Sequence, residues 1–237
     1  MTDLAKISQE LKKLANAPQA AILQRFFKTG KGQYGAGDVF LGIRVPITRK
    51  IAKQYVYLDF VDISRLLKSK FHEFRLAAIL ILVAKYEIVK DRKTKTQIFN
   101  FYLKNTKYIN NWDLVDLSVA RILGEYLFLN EKKKVILYRL AKSKNLWERR
   151  MAMVATYAFI RRGRAEEAFD LAKKLLKDKH DLMHKAVGWM LREVGKRVDR
   201  KKLLAFLDEH AEIMPRTALR YALEHLNPKD REYYLKK

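Results

Sequence analysis

Residues 180–197 read HDLMHKAVGWMLREVGKR. Wound as an α-helix at about 100° per residue, this stretch puts Lys185, Trp189, Arg192 and Lys196 within a sector of roughly 60°. Val187, Met190, Leu191 and Val194 fall on the opposite side, which is therefore the predicted buried side. Trp189, one of three tryptophans in the chain, thus sits in the middle of a cationic stripe and is expected to face a partner. Rings flanked by Lys and Arg suit a polyanion that carries flat, stackable bases.

Working outward, Trp112, Trp147 and Trp189 are spaced 35 and 42 residues apart, near the start of every second predicted helix. That period fits stacked helix pairs of the HEAT or armadillo kind, in which one helix of each pair lines a concave inner layer. The three tryptophans are expected to mark that layer. Apolar residues recur at helical spacing almost everywhere, and β-type alternation is absent. The predicted helices are an N-terminal pair, then 47–56, 60–68, 72–86, 91–103, 112–128, 131–142, 147–162, 165–177, 181–197, 200–208 and 214–225. Short breaks such as Arg162-Gly163-Arg164 and Asn130-Glu131 leave room only for antiparallel neighbours. The expected organisation is one all-α domain over 1–237: N-terminal helices to 28, a glycine-rich loop at 29–46, and HEAT-like repeats from 47 onward.

The 237 residues include 50 Lys plus Arg against 26 Asp plus Glu, a formal charge of +24. Such an excess points to a counter-charge supplied by nucleic acid or an anionic surface. The longest apolar run, Leu76 to Ala84, is far below the roughly 20 residues needed to span a bilayer and reads as a helix buried on all sides. The first residues, MTDLAKISQELKKLA, carry Asp3 and Glu10 and fit neither a secretory signal nor a transit pattern. No cysteine is present, so disulfides, thiol nucleophiles and sulfur-ligated metals are excluded. A cytoplasmic, nucleoid-associated monomer is the expectation.

Residues 29–46 hold five of the nine glycines. Gly30-Lys31-Gly32-Gln33-Tyr34-Gly35 fits the letters of a dinucleotide fingerprint but lacks the strand before it, and no Walker A spacing follows. The segment reads either as a flexible connector or, through Lys28, Lys31 and Tyr34, as a clamp on a nucleic acid backbone. At residues 110–116, NNWDLVD, two asparagines and an acid form a helix start. Asp113 then has a bland role against the helix dipole. Asp116 lies one turn on from Trp112, about 40° around the helix, where its carboxylate is half-shielded beside the indole. On so basic a chain it serves either chemistry or a structural ion pair with an arginine. In residues 147–150, WERR, Arg150 shares a flank with Val154, Tyr157 and Arg161, and Arg149 adjoins it. His180 and His184 have zinc-compatible spacing but no third ligand group, and read as a solvated pair.

FFKTGKGQYGAGDVFLGIRVPITRKIAK (26–53), NNWDLVDLS (110–118), NLWERRMAMVAT (145–156), HKAVGWMLREVGK (184–196) and MPRTALRYALE (214–224) together resemble, in order and spacing, the AlkD-like family of DNA alkylation repair glycosylases. The resemblance implies a right-handed superhelix of HEAT-like repeats whose basic concave groove holds duplex DNA. It implies hydrolysis of the N-glycosidic bond of purines alkylated at N3 or N7, such as 3-methyladenine and 7-methylguanine, without metal or cofactor. Asp116 matches the catalytic carboxylate, Trp112 the tryptophan one turn earlier, Trp189 the second aromatic wall and Arg150 the arginine of the site. Arg192 matches a backbone-contacting arginine, with Lys185, Lys196, Arg149, Arg161, Lys31 and Tyr34 expected along the DNA. Family recognition works through backbone and sugar, without a base-extruding pocket. The glycine-rich insertion departs from the family's pattern. A non-catalytic module of this fold binding branched or distorted DNA is the alternative; an RNA-associated helical scaffold is a third.

Overall fold

The computed structural model describes all 237 residues. The chain is helical from end to end, and its one β feature is an isolated parallel bridge between Val39 and Phe71. Its contacts cluster into two compact units, Met1–Ser118 and Val119–Lys237.

The first unit comprises α1 (Asp3–Lys13), α2 (Ala17–Phe26), α3 (Val45–Gln54), α4 (Phe60–Leu67), α5 (His72–Ile88), α6 (Arg92–Lys104), a 3₁₀ turn at Thr106–Tyr108 and α7 (Trp112–Asp116). Helix starts are set by side-chain caps: Thr2, Asn16, Asp59 and Asp91 each accept a backbone N–H three residues on. The apolar run in α5 makes it the hub, packed against α1, α3, α4, α6 and α7, with Leu76 through Val83 buried. Helix α2 is the opposite case, because none of its side chains is fully buried.

The glycine-rich segment is not a loose connector, because its backbone is tied down along its second half. Val39 N–H donates to the Lys70 carbonyl and His72 N–H to the Val39 carbonyl. The N–H groups of Leu41, Gly42 and Ile43 all donate to the buried Glu73 carboxylate, at 2.8, 2.8 and 3.1 Å. Gly42 is required where it stands: its φ is +87°, and a Cβ there would lie 2.2 Å from the Asn16 carbonyl oxygen.

The second unit runs through a π-helical turn (Ala120–Gly124), α8 (Glu125–Leu129), a 3₁₀ turn (Glu131–Lys133), α9 (Val135–Ala141), α10 (Leu146–Ala155), α11 (Tyr157–Ile160), α12 (Glu166–Leu175), α13 (Asp181–Arg197), α14 (Arg200–His210), a 3₁₀ turn (Ala211–Ile213), α15 (Arg216–Ala222) and α16 (Pro228–Lys236). Helix α13 is its hub, packing on α10, α11, α12, α14 and α15. The close approach of α13 to α15 depends on Gly188, where a Cβ would sit 2.3 Å from the Ala218 carbonyl oxygen. Gly124 does the same for the π-helical turn against Ala155.

Three expected helices are broken up, and α16 lies beyond the last expected one. The stretch 112–128 stops at Asp116 and resumes as the π-helical turn. At the break, the Ser118 hydroxyl donates back to the Leu114 carbonyl at 2.6 Å and pairs with the Tyr102 hydroxyl at 2.8 Å. The stretch 147–162 divides at Thr156, whose hydroxyl turns back to the Met153 carbonyl. The stretch 131–142 opens with a 3₁₀ turn before α9. Periodicity alone misses such breaks because apolar spacing continues through them.

Candidate functional site

Helix α7 is only five residues long, and a helix that short does not hold itself together in water. It is held from outside. The Asn111 side chain accepts the Trp112 N–H at 2.8 Å and donates its own N–H to Asp38 at 3.0 Å. The Asp113 carboxylate accepts the Leu114 N–H through one oxygen and meets His72 Nε2 through the other, both at 2.8 Å. On the far side of the ring, His72 Nδ1 lies 3.1 Å from Asp38 Oδ2, and Arg75 donates to Asp38 Oδ1 at 2.5 Å. Asp38, His72, Arg75, Asn111 and Asp113 are all buried.

Asp113 therefore does more than meet the helix dipole, as its place in the first turn suggested. It turns inward and joins a buried charge network. Burial pulls the His72 imidazolium down, yet Asp113 and Asp38 outweigh it and raise its pKa to about 9. Burial likewise opposes ionisation of Asp38, but hydrogen bonding from His72 and the charge of Arg75 hold its carboxyl below the usual range.

Above this network stands an aromatic stack. The His72 ring lies on Phe40 with centroids 4.4 Å apart, and Phe27 lies 5.2 Å from His72. Phe27 in turn stacks on the Trp112 indole, 4.9 Å away and 7° from parallel, while Phe26 meets the indole edge-on at 5.9 Å. One indole face of Trp112 is thus covered by the fold itself. The neighbouring cavity, of about 400 Å³, has Leu23, Phe26, Phe27, Phe40, Ile43 and Trp112 among its walls, with Arg44 and Asp116 lining it as well. Asp116 is half-buried, as its spacing from Trp112 predicted. Val119 and Leu123, further along the chain, are buried. Burial pushes the Tyr102 hydroxyl up, and Asp116 is close enough to add to that push.

In the second unit, α13 carries Trp189 half-buried, with Val187, Met190, Leu191 and Val194 buried on its other side. The Trp189 ring centroid is 6.3 Å from that of Tyr157, and the guanidinium groups of Arg161 and Arg197 lie over Tyr157 at 5.5 and 5.4 Å. The cationic stripe is partly neutralised within the fold: Lys185 pairs with Asp181 at 2.8 Å, and Arg192 pairs with Glu193 and Glu224. Lys196 is exposed.

Arg150 is buried and donates to the Leu182 carbonyl, whereas Arg161 is exposed and pairs with Glu125 at 2.5 Å. Arg149 bonds both oxygens of Asp178 and the carbonyls of Ser143 and Lys144, so four of its five N–H groups serve the fold. Lys31 is exposed, and the hydroxyl of half-buried Tyr34 points to the Phe26 carbonyl at 3.4 Å.

Two expectations are corrected. Trp147 is only 7% exposed, so its ring belongs to the interior and is not displayed on a surface. His180 and His184 are structural and not a solvated pair: His180 Nδ1 accepts the Leu182 N–H, and His184 Nε2 meets the Asp178 carbonyl. Sequence reasoning missed Asp38, His72, Phe27 and Phe40. The available signal was a histidine and an acid placed where a buried helix and a glycine-rich segment leave few exposed positions.

Comparison with known proteins bears on the whole chain. No curated protein matches it. The fold is similar to that of a "Predicted DNA alkylation repair enzyme from Enterococcus faecalis", with a TM-score of 0.70, 16% identity, and coverage of 90% of this chain and 97% of that one. The family profile described as "DNA alkylation repair enzyme" matches residues 7–226. With nearly its full length inside that match, the chain belongs to the DNA alkylation repair enzyme family.

Proposed function

We propose that the chain is a monofunctional DNA glycosylase that hydrolyses the N-glycosidic bond of N3- or N7-alkylated purines in duplex DNA. The observation that carries this reading is Asp116: a half-buried carboxylate on an externally anchored helix, one turn from an indole with one covered face, beside an aromatic cavity. Its position in the motif at residues 110–118 matches the catalytic carboxylate of the family, and a shielded carboxylate beside an indole is suited to chemistry on a cationic substrate.

Alkylation at N3 or N7 makes the purine cationic, so the base departs without protonation. As the C1′–N bond breaks, its electron pair goes to the base nitrogen and cancels that charge, while positive charge develops on the sugar. Asp116 stabilises the oxocarbenium-like sugar electrostatically and orients the water that adds to C1′; the water's proton leaves to solvent. The face of Trp112 not covered by Phe27 packs on the cationic nucleotide, an attraction of about 1–2 kcal/mol when desolvated. The roles of Trp189 as a second aromatic wall and of Arg150 as the site's arginine rest on the family motifs. Arg192, Lys185, Lys196, Arg161 and Lys31 supply phosphate contacts; for Arg192, Lys185 and Arg161 this requires exchange of an acidic partner already in place. Arg149, the neighbour of Arg150, and Tyr34, from the glycine-rich segment, complete that set.

The test is release of free 7-methylguanine or 3-methyladenine from methylated duplex DNA by the wild-type chain and by Asp116→Asn. Wild type should release base, and the variant should bind DNA normally while losing at least about 100-fold in rate. Binding without release by the wild type would instead identify a non-catalytic DNA-binding module.

A further inference from the structure

Both nitrogens of the His72 ring face a carboxylate oxygen, Asp38 at 3.1 Å and Asp113 at 2.8 Å. Such an arrangement is satisfied only when both nitrogens carry hydrogen, since a bare ring nitrogen opposite a carboxylate sets two acceptors against each other. With Arg75 on Asp38, the buried cluster holds two carboxylates and two cations. Two of its contacts end on α7 or its cap, through Asp113 and Asn111. A second route runs through rings, from His72 to Phe27 and from Phe27 to Trp112. The established family assignment explains none of this machinery.

We propose that His72 is a positioning residue: clamped between Asp38 and Asp113, its imidazolium sets the orientation of α7, and with it Trp112 and Asp116, while the glycine-rich segment serves to deliver Asp38 to the clamp. The delivery is built into the backbone. Asp38 N–H donates to the Gly35 carbonyl, and the next residue, Val39, bridges to Phe71 immediately before His72. A Cβ on Gly35 would lie 2.4 Å from the Phe27 carbonyl oxygen, so the segment can press against the base of the aromatic stack only with glycine there.

The charged groups around the ring leave His72 as the switchable one. Glu73 is occupied by three backbone N–H groups, and Arg75 is held by Asp38 and by the carbonyls of Ser69 and Lys70. Arg44 and Asp116 line the same cavity as His72. Loss of the His72 proton leaves the ring one N–H for two carboxylates, so the bridge opens at one end: either Asp113 on α7 loses the ring, or the ring loses Asp38 behind it.

The effect on Trp112 stands by itself, whereas the effect on excision rests on the glycosylase reading; the test separates them. The full chain is labelled with 5-fluorotryptophan, and the Trp112 resonance is identified by its absence in Trp112→Phe. In wild type this resonance should shift with a midpoint near pH 9, the value to which the two carboxylates raise His72, while far-UV circular dichroism stays constant. In His72→Gln the resonance should be displaced at neutral pH and should no longer titrate near pH 9. Single-turnover excision by that variant should fall at least about 10-fold, with affinity for undamaged duplex changed by less than about 2-fold. Asp38→Asn, which spares the histidine, serves as the second variant and should displace the same resonance.

A Trp112 resonance that neither titrates in wild type nor moves in either variant overturns the proposal whatever the activity. So does a displaced resonance accompanied by unchanged excision. A resonance that titrates in wild type and is displaced in the variants, with no base released by wild type, supports the positioning device and overturns the glycosylase reading.

Discussion

Trp112 and Trp189 sit on two very different supports. Trp189 rides on α13, a seventeen-residue helix with acid at its start, base at its end and a buried apolar side. Trp112 rides on α7, five residues whose conformation is dictated by a buried imidazolium, a cap and a covering phenyl ring. A ring on a long helix is aimed by the helix, so local sequence suffices to place it. A ring on a single turn is aimed by whatever grips that turn. The contrast teaches that the aim of one ring can be robust to distant change while that of another depends on residues far away in the chain.

The largest effect should come from breaking the grip. Replacing His72 by Leu leaves Asp38 and Asp113 buried without their shared cation and should cost about 3–5 kcal/mol of stability, measured by urea unfolding at pH 7. A cost below about 1 kcal/mol would show that α7 holds itself, and the contrast with α13 would disappear.

The same grip gives a pH window with a definite sign. The folded-state pKa of His72 lies above its unfolded value, so its contribution is fully present below about pH 6.5 and lost as pH rises through about 9. The loss is on the order of 3 kcal/mol, and chemical denaturation at pH 6.5 and 10 reads it. Asp38 works in the opposite direction: its depressed carboxyl contributes above its unfolded pKa, and that contribution fades as pH falls into the acid range. His72→Leu should flatten the alkaline limb only.

On the α13 side, Gly188→Ala pushes a methyl group into the Ala218 carbonyl, 2.3 Å away, and should destabilise by about 1–3 kcal/mol. The variant leaves the Trp112 resonance in place if the two supports are independent. The smallest effect belongs to Lys185→Ala. Its pair with Asp181 is solvent-exposed, so stability should change by less than about 0.5 kcal/mol. If Lys185 meets a phosphate, the slope of log affinity against log salt falls by about 1; an unchanged slope assigns it to the surface pair alone.

Most of the fold was legible. The buried run in α5, the bounds of α13 and its buried side, and the all-helical class all follow from apolar spacing, which repeats every turn and needs no partner to be read. Breaks at Ser118 and Thr156 were not legible, because a hydroxyl that bonds back to its own backbone leaves the apolar pattern intact. At the candidate site, Asp116 and Trp112 could be placed side by side from their four-residue spacing. Phe27 and the charge cluster could not.

By itself the sequence determined a strongly cationic helical chain, the side of α13 that meets the core, and the neighbourhood of Trp112 and Asp116 on one ridge. Only the tertiary structure decided that Asp113 turns inward, that His72 meets it from 41 residues away with Asp38 on the ring's other side, and that Trp147 belongs to the interior. The physical reason is the range of the forces. Helix periodicity is a nearest-turn property written every few residues, whereas a buried charge is tolerable only beside a counter-charge, and the chain can bring that counter-charge from any distance.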